Sequence, residues 1–546
     1  MSDKQKKFSA LKNIGAPVVL MLIIPLLLAS CLDDFKGIKK IKVKDPYNPA
    51  FAVPVAHVNA SLMDMLRFAN QDSLAQIDPD KFMRLIYHGH PYKAYLRDYV
   101  RVPMQTFTTG PFKYATSNDS VRVTLPVYLS DQTEHVFNFN NGEEITKLKI
   151  KSGKLIVRLR STFRKSGDID IKINDAKLKN GSDFIHNVAF SFQPAGETFT
   201  YDTFDLSGCY FDLSKGGISE NTIIVNYIIT LNPNSYYIRK TDAFNISISF
   251  DDIEFSYIEG FLGVHNIVYT PDSMLLDLFK NVEANKIQFF DPKIYIHFNN
   301  SAGIPIRIQP PDISAQSGIY SKQLTGSVLS APIDLNYPSL QEVGKKSYTL
   351  FLATYQNSNV RELTNMAPSN FVSDLDITTN ATGKNRNNFA TDSSYLTADI
   401  VLELPLYGKA KDYRVEFDVN LDSIDMSIIE HIQLNVLSKN EIPIDFGLQF
   451  YLADTSRNIL DSLVTSSSML IKSGQVDDSG KVIKASQALT SFTLNKDILD
   501  ANPDFKKIII RAQASTLNNG NVNVKIYASN RLEIFTSIYI KLKIDL

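Results

Sequence analysis

Apolar and polar residues alternate along most of the chain from residue 145 onward. The alternation occurs in 145–151, 154–160, 168–173, 223–231, 244–250, 293–298, 414–420, 507–513, 521–527 and 537–545. A period of two residues is typical of antiparallel strands with one face in a core and one in water. Ser152-Gly153 and Ser166-Gly167 separate the first three runs, which predicts a meander with tight turns there. We therefore predict an all-β, mainly antiparallel chain of tandem β-sandwich domains.

Helical patterns are few. Ser61-Leu-Met-Asp begins a segment with Leu62, Met65, Leu66 and Ala69 on one face, which predicts a short amphipathic helix with an N-terminal cap. Ser273 predicts a second capped helix that continues to about Val282.

One internal repeat is visible in the second half of the chain. Residues 293–308 align without gaps onto residues 431–446, so that Ile294, Ile296 and Phe298 match Ile432, Leu434 and Val436. Each copy is predicted to be a hairpin, in which a polar turn leads into a second strand through Ile-Pro-Ile. This arrangement resembles the β-sandwich repeat of water-stress (LEA14-like) domains. A chance likeness between two hairpins is the alternative.

Shifts in composition near residue 241 and across 377–394 predict the domain edges. We expect a signal peptide at 1–30, a tether at 31–50, a β-rich domain at 51–240, and sandwich-like domains at 241–385 and 386–546.

The first thirty residues have the layout of a secretory signal peptide, because Lys4, Lys6, Lys7 and Lys12 precede an apolar stretch of about sixteen residues at 14–29. The stretch ends in Leu28-Ala29-Ser30-Cys31, which resembles the lipobox of bacterial lipoproteins. That resemblance implies cleavage before Cys31 and acylation of its sulfur with palmitate-type chains. An ordinary signal sequence with a chance cysteine is the alternative.

The residues after the cysteine, Leu32-Asp33-Asp34-Phe35, resemble the export signal of surface-exposed outer-membrane lipoproteins of Bacteroidota. The resemblance implies an outer-membrane protein that faces the cell exterior, with Asp33, Asp34 and Phe35 as the signal. The alternatives are a solvated acidic linker and, under different sorting rules, retention at the inner membrane.

Charge and cysteine content narrow the function classes. The chain has 57 Lys and Arg against 58 Asp and Glu, a balance that does not favour a nucleic-acid partner. Cys31 and Cys209 are its two cysteines, so acylation of Cys31 leaves no intramolecular disulfide. Cys209 lies in an alternating segment and is predicted to be a small buried hydrophobic residue.

No motif specifies a reaction, and we predict no catalytic residue, no cofactor and no metal ion. His88 and His90 project from one side of a predicted strand, as a zinc site requires, but spacing suggests no third ligand. The carboxylate pairs of the chain occupy neighbouring positions, which point to opposite faces of a strand. An enzyme whose site is assembled from distant strands is the alternative.

Two kinds of surface site are candidates. Tyr92, Tyr95 and Tyr99 could form a stacking platform for a glycan, although a core or interface role is favoured and the chain has no tryptophan. Asp-Ser followed by an apolar residue resembles the O-glycosylation acceptor of Bacteroidota envelope proteins. That pattern marks Ser73, Ser120, Ser423 and Ser462, whereas Ser273 is better explained as a helix cap.

The sequence therefore favours a lipid-anchored outer-membrane protein that acts as a non-enzymatic scaffold or binding subunit beside an outer-membrane protein partner. The second hypothesis is a surface glycan-binding protein of a polysaccharide uptake system.

Overall fold

The computed structural model describes residues 50–68, 72–194, 196–279, 283–420, 429–462, 469–502 and 504–542. The predicted signal peptide, all of the predicted tether before residue 50 (with Cys31, Asp33, Asp34 and Phe35), and Ser423 lie outside the described residues.

Strands dominate the described residues, which confirms the all-β, mainly antiparallel prediction. Three short helices accompany them: α1 (Leu62–Phe68), α2 (Val360–Asn365) and α3 (Lys496–Ala501). Leu517–Gly520 is a turn rather than a helix, because Asn518 and Asn519 have left-handed φ and ψ.

The strands of the first half are β1 Ala50–Ser61, β2 Ala75–Ile77, β3 Met83–His88, β4 Tyr92–Tyr95, β5 Gln105–Phe112, β6 Ser120–Val121, β7 Val127–Val136, β8 Glu144–Ser161, β9 Gly167–Lys177, β10 Asp183–Phe190, β11 Thr198–Asp205, β12 Tyr210–Asp212, β13 Thr222–Leu231, β14 Ile238–Arg239 and β15 Phe244–Phe261. They are followed by β16 Asn266–Ile267, β17 Asp272–Leu275, β18 Ile287–Phe289, β19 Lys293–Asn300, β20 Ile306–Ile308, β21 Asp312–Ser317, β22 Tyr320–Gln323, β23 Ile333–Leu335, β24 Ser347–Ala353, β25 Asn370–Asp374, β26 Ile377–Thr379, β27 Asn388–Thr391, β28 Tyr395–Pro405 and β29 Tyr407–Ala410. The last strands are β30 Tyr413–Asn420, β31 Ile429–Asn440, β32 Ile444–Ala453, β33 Ile459–Ser462, β34 Met469–Ile471, β35 Gln475–Val476, β36 Val482–Lys484, β37 Ser486–Asn495, β38 Lys507–Thr516, β39 Val524–Lys525 and β40 Arg531–Leu542.

The first sandwich consists of strands between β5 and β15. One sheet has the order β5-β15-β8-β11 and the other β7-β13-β9-β10, and the short β12 bridges β8 and β9. In each sandwich we call the sheet with the earliest strand sheet I and the other sheet II. Alternate residues of both sheets point inward to a shared core, for example Ile169, Ile171 and Ile173 of β9.

The second and third sandwiches repeat this arrangement. In the second, sheet I joins β3 and β4 to β28, β19 and β24, and sheet II is split into the ladders β16-β26-β20-β23 and β17-β25-β21-β22. In the third, sheet I is β1-β40-β31-β37, and sheet II joins β30, β38 and β32 to β33 and β34. Lettered A to H in chain order, every sandwich has the strand orders A-H-C-F and B-G-D-E, which define an eight-stranded jelly roll.

The three jelly rolls are nested rather than consecutive. The chain contributes strand A of the third sandwich (β1), then strand A of the second (β3 and β4), then the whole first sandwich, and afterwards completes the second and the third. As a result β1 pairs along its length with β40, with Ser61 opposite Arg531. Strands of one sandwich thus lie on both sides of the predicted domain edges at 240/241 and 385/386, and the edges themselves stay a prediction.

The predicted meander is wrong at both turns. Glu144 to Ser161 is one strand of 18 residues that continues through Ser152-Gly153. It bends there together with β15, whose register slips between Asp251 and Glu254, and the positive φ of Gly153 (151°) accommodates the bend. Ser166 precedes β9 and Gly167 is its first residue, and β9 pairs with β10 and β13 but not with β8.

The two predicted hairpins are also wrong, because the paired segments lie in different sheets. β19 and β31 belong to sheet I, whereas β20 and β32 belong to sheet II of the same sandwich. Each polar segment is therefore a crossover between sheets. The repeat itself corresponds to strands C and D of two jelly rolls.

One of the two predicted helices is present. α1 begins after Ser61, whose hydroxyl and backbone N–H both bond to the Asp64 carboxylate (2.6 and 2.9 Å). The helix predicted from Ser273 is wrong: 272–275 is strand β17, and buried Met274, Leu276 and Leu278 alternate with exposed residues. Of the predicted strand at 521–527, Val524–Lys525 is a strand.

Candidate functional site: the aromatic face of the second sandwich

The outward face of sheet I in the second sandwich carries rings on four strands. Because alternate residues of a strand share one side, the inward positions hold Ile294, Ile296 and Phe298, and the outward positions hold the rings. We call the outward residues Tyr95 (β4), Tyr395 (β28), Tyr295 and His297 (β19) and Tyr348 (β24) the aromatic face.

Three of these rings form a row with nearly parallel ring planes. The ring centres of Tyr295 and His297 are 5.8 Å apart with an interplanar angle of 7°, and those of His297 and Tyr348 are 5.9 Å apart at 28°. The His297 Nδ1 and the Tyr348 hydroxyl lie 2.7 Å apart, which fixes both rings. Tyr348 is 49% exposed. The row offers ring surface that no described strand covers.

A buried carboxylate holds one end of the face. Glu403 of β28 accepts hydrogen bonds from Arg84 (3.2 Å), Lys293 (3.4 Å) and the Tyr295 hydroxyl (3.2 Å). Burial, and then the Glu403 charge, raise the pKa of Tyr295. Burial lowers the pKa of Lys293, but the charges of Glu403 and Asp291 outweigh it and the net pKa is raised. The Tyr295 ring is therefore held in place by its own hydroxyl.

Cations and rings alternate at the other end. The Lys93 ammonium lies 4.7 Å from the Tyr95 ring centre and 4.3 Å from that of Tyr395, and the Arg97 guanidinium lies 4.7 Å from Tyr95. These are cation–π distances, and they orient two half-buried tyrosines.

The three tyrosines predicted to form one platform are divided by the structure. Tyr95 joins the aromatic face. Tyr92 and Tyr99 instead bond to the backbone of Val268: the Tyr92 hydroxyl donates to its carbonyl (2.7 Å), and its N–H donates to the Tyr99 hydroxyl (3.2 Å). Tyr92 also packs edge-on against Tyr269 at 4.9 Å. Glycan stacking on these tyrosines stays a prediction.

The two histidines considered for zinc have separate partners. His90 bonds to Asp272 through its ring (2.7 Å) and its backbone N–H (2.7 Å), while His88 lies 3.8 Å from Asp399. Within the ranges that the structure describes, no three His, Cys, Asp or Glu residues group so that they could hold a metal ion.

The other predicted residues lie in varied surroundings. Cys209 is buried, and burial raises the pKa of its thiol, in agreement with an inert hydrophobic role. Ser73 and Ser120 are exposed, whereas Ser462 is half-buried and accepts a hydrogen bond from Gln449 (2.5 Å). O-glycosylation of these serines stays a prediction.

Sequence reasoning missed four of the five residues of the aromatic face. They come from positions up to 300 residues apart, and only the pairing of β4, β28, β19 and β24 brings them together. One sequence feature could have indicated the face: in Tyr295-Ile-His297, aromatic rings occupy the outward positions of an alternating strand, where polar residues are expected.

Comparison with known proteins adds little. No family model and no curated protein matches the chain. Among solved structures it is similar to a protein from Parabacteroides distasonis that is provisionally described as secreted, with 10% identity, a TM-score of 0.28, and coverage of 51% of this chain and 82% of the other. The STIV MCP (11% identity, TM-score 0.12, 56% and 97% coverage) and the VP2 subviral particle of infectious bursal disease virus (9%, 0.13, 86% and 83%) are also similar. TM-scores this low support no inference about this chain. Separately, no helix in the described segments is long and apolar enough to cross a bilayer.

Proposed function

We propose that the protein is a lipid-anchored, non-enzymatic surface protein that binds glycan chains on the aromatic face of its second sandwich. The observation that carries the proposal is the row of parallel rings of Tyr295, His297 and Tyr348 on the outward face of the sheet, with Tyr348 49% exposed. Aromatic rings present a flat apolar surface with a polar tip, which suits the apolar face and the hydroxyl rim of a pyranose ring.

The surroundings of the row support a sugar ligand. Asp399 and Asn299 point to the same side of the sheet, and they supply hydrogen-bonding groups beside the rings. Glu403 and Tyr395 are eight residues apart on β28, so the face extends for about 27 Å. A face of this length accommodates several sugar units of a linear chain.

Removal of a ring tests the glycan site. Tyr295→Ala and Tyr348→Ala should each weaken retention on a panel of neutral polysaccharide affinity gels (xyloglucan, β-glucan, mannan and starch) by about tenfold, because each removes one stacking surface. Tyr128→Ala is the matched control, since Tyr128 is 69% exposed on sheet II of the first sandwich. No retention of the unaltered protein on any gel, or equal loss in the control, would contradict the site.

The anchor is proposed at Cys31. β1 begins at Ala50, so a tether of about 19 residues would join the anchor to the third sandwich and leave the first two free to project outward. Cys31→Ala should abolish acylation and shift the protein from the membrane fraction to the soluble fraction or leave it unprocessed. Unchanged membrane attachment and processing would overturn the anchor.

A scaffold role has one specific observation in its favour. Sheet I of the third sandwich carries an exposed row across all four strands, with His57, Phe535, Leu437 and Leu489 in register. His57 stacks on Phe535 at 4.0 Å, and Leu489 is 69% exposed. A partner protein of the outer membrane would find an apolar strip there, on the sandwich to which the proposed tether leads.

A further inference from the structure

Sheet I of the first sandwich carries an exposed pair of aromatic residues, separate from the aromatic face of the second sandwich. Phe199 and Tyr201 are two residues apart on β11 and are 69% and 61% exposed. Their cross-strand neighbours on β8 are Arg160 and Arg158, in register. The guanidinium carbons lie 6.0 and 5.6 Å from the respective ring centres.

The two arginines differ in their charge partners. Arg160 is neutralised by a two-bond contact to Glu197 (2.6 and 2.9 Å). Arg158 has no carboxylate of the described residues within salt-bridge distance, and it donates only to the Ser249 hydroxyl at 3.3 Å. The face therefore presents one guanidinium whose charge is uncompensated.

Small polar residues adjoin these arginines. Asn245 and Ser247 on β15 are the cross-strand neighbours of Arg160 and Arg158, and Thr108 lies opposite Ser247 on β5. The next residues along the sheet, Ser249 and Thr106, bond to each other at 2.9 Å. Lys154, Asp205 and Asp251 lie at the far end of the same face, where one lysine stands between two carboxylates.

We propose that this face is a second glycan site that takes chains with carboxylate-bearing sugars, such as uronic acids. Arg158 would bind the carboxylate through two parallel N–H···O bonds, Tyr201 would stack on the sugar ring, and the Ser, Thr and Asn side chains would bond to hydroxyl groups. The inference rests on the proposed glycan-binding function and adds a ligand class to it.

Two polymers with the same sugar backbone, one with free carboxylates and one with methyl esters, test the proposal. The full mature chain should be retained by polygalacturonate gels, and methyl-esterified polygalacturonate should be bound about tenfold more weakly, because the ester cannot pair with Arg158. Arg158→Gln should remove that preference. Arg122→Gln, which removes an exposed charge elsewhere, should keep it. Equal binding of both polymers, or an equal loss in both variants, would overturn the carboxylate site.

Two further variants and a competition experiment distinguish this site from the aromatic face and a glycan ligand from an acidic peptide. Tyr201→Ala should weaken polygalacturonate binding, while Tyr295→Ala should leave the preference for polygalacturonate over its ester intact. Competition by polyglutamate as effective as by polygalacturonate would overturn the assignment to a glycan and indicate an acidic peptide. If the unaltered protein binds neutral glycans but shows no preference for polygalacturonate over its ester, this inference alone is contradicted. If it binds neither kind of polymer, the proposed function is contradicted as well.

Discussion

Asn300 and Asn440 occupy the same place in two jelly rolls, at the end of strand C where the chain crosses between sheets. Each side-chain oxygen accepts from the backbone N–H two residues later, Ala302 (3.0 Å) or Ile442 (2.8 Å). Each amide nitrogen donates to the carbonyl four residues later, Ile304 (3.1 Å) or Ile444 (2.9 Å). Both side chains are almost fully buried, so they satisfy crossover groups that water does not reach.

Replacement of either asparagine should therefore be costly. We expect Asn300→Ala and Asn440→Ala each to lower the free energy of unfolding by about 2–3 kcal/mol, since buried backbone groups lose their partners. Chemical denaturation measures the effect. Asn118→Ala, at an exposed position, should stay within about 0.5 kcal/mol of the unaltered protein. A cost at Asn300 as small as at Asn118 would show that water satisfies the crossover.

At the residue scale, the sequence predicted which apolar residues point inward. It did not predict the hydrogen-bond partners of the buried polar residues. The ungapped alignment of the repeat pairs Asn300 with Ser438, whereas the hydrogen bonds pair it with Asn440. In the pairing by hydrogen bonds the two Ile-Pro-Ile motifs are offset by two residues, because Asn300 bonds to the first isoleucine of its motif and Asn440 to the last. A sequence pattern holds no information about which carbonyl a buried amide meets.

At the scale of the elements, the local sequence was sufficient to predict helix α1. Ser61 and Asp64 satisfy each other's groups at the first turn without help from distant residues. The segment from Ser273 carries a similar serine but forms a strand, because β25 pairs with it at Asp272–Leu275 and the core receives every second residue. Cap chemistry predicts a helix only where the following residues also have helical spacing.

The cap of α1 should be sensitive to pH. The hydroxyl of Ser61, followed by its backbone N–H, lowers the pKa of Asp64 below its usual value. The cap therefore stabilises the fold above about pH 4, and this contribution is lost as the pH falls through the lowered pKa.

Ser61→Ala should cost about 1 kcal/mol at pH 7 and less at pH 2, because protonation of Asp64 weakens the same interaction in the unaltered protein. Denaturation curves at both pH values provide the comparison, with Ser117→Ala at an exposed site as the control. A cost that does not change with pH would assign the stabilisation to something other than the Asp64 charge.

At the scale of the whole molecule, the two-residue alternation in the sequence correctly predicted that the chain consists of strands and belongs to the sandwich class. It did not predict which strands pair with each other. Alternation fixes which face of a strand is buried and leaves open which strand lies beside it. The first strand of each jelly roll is separated from the rest of its sandwich by another folded unit, so adjacency in the sequence misleads. Nesting also sets the geometry of the proposed function, since both ends of the described chain meet in the third sandwich and the first sandwich is the innermost insertion.

A cross-link between β1 and β40 tests the nested arrangement of the three jelly rolls most directly. Asn59 and Glu533 are directly opposite each other, within the distance that a disulfide spans. In a Cys209→Ser background that lacks Cys31, Asn59→Cys with Glu533→Cys should oxidise readily and change the mobility of the unreduced chain, because the bond closes a loop that includes most of the protein. Asn59→Cys with Thr108→Cys should not cross-link. Cross-linking of the control pair in place of the Glu533 pair would contradict the nested arrangement, and with it the placement of both binding faces.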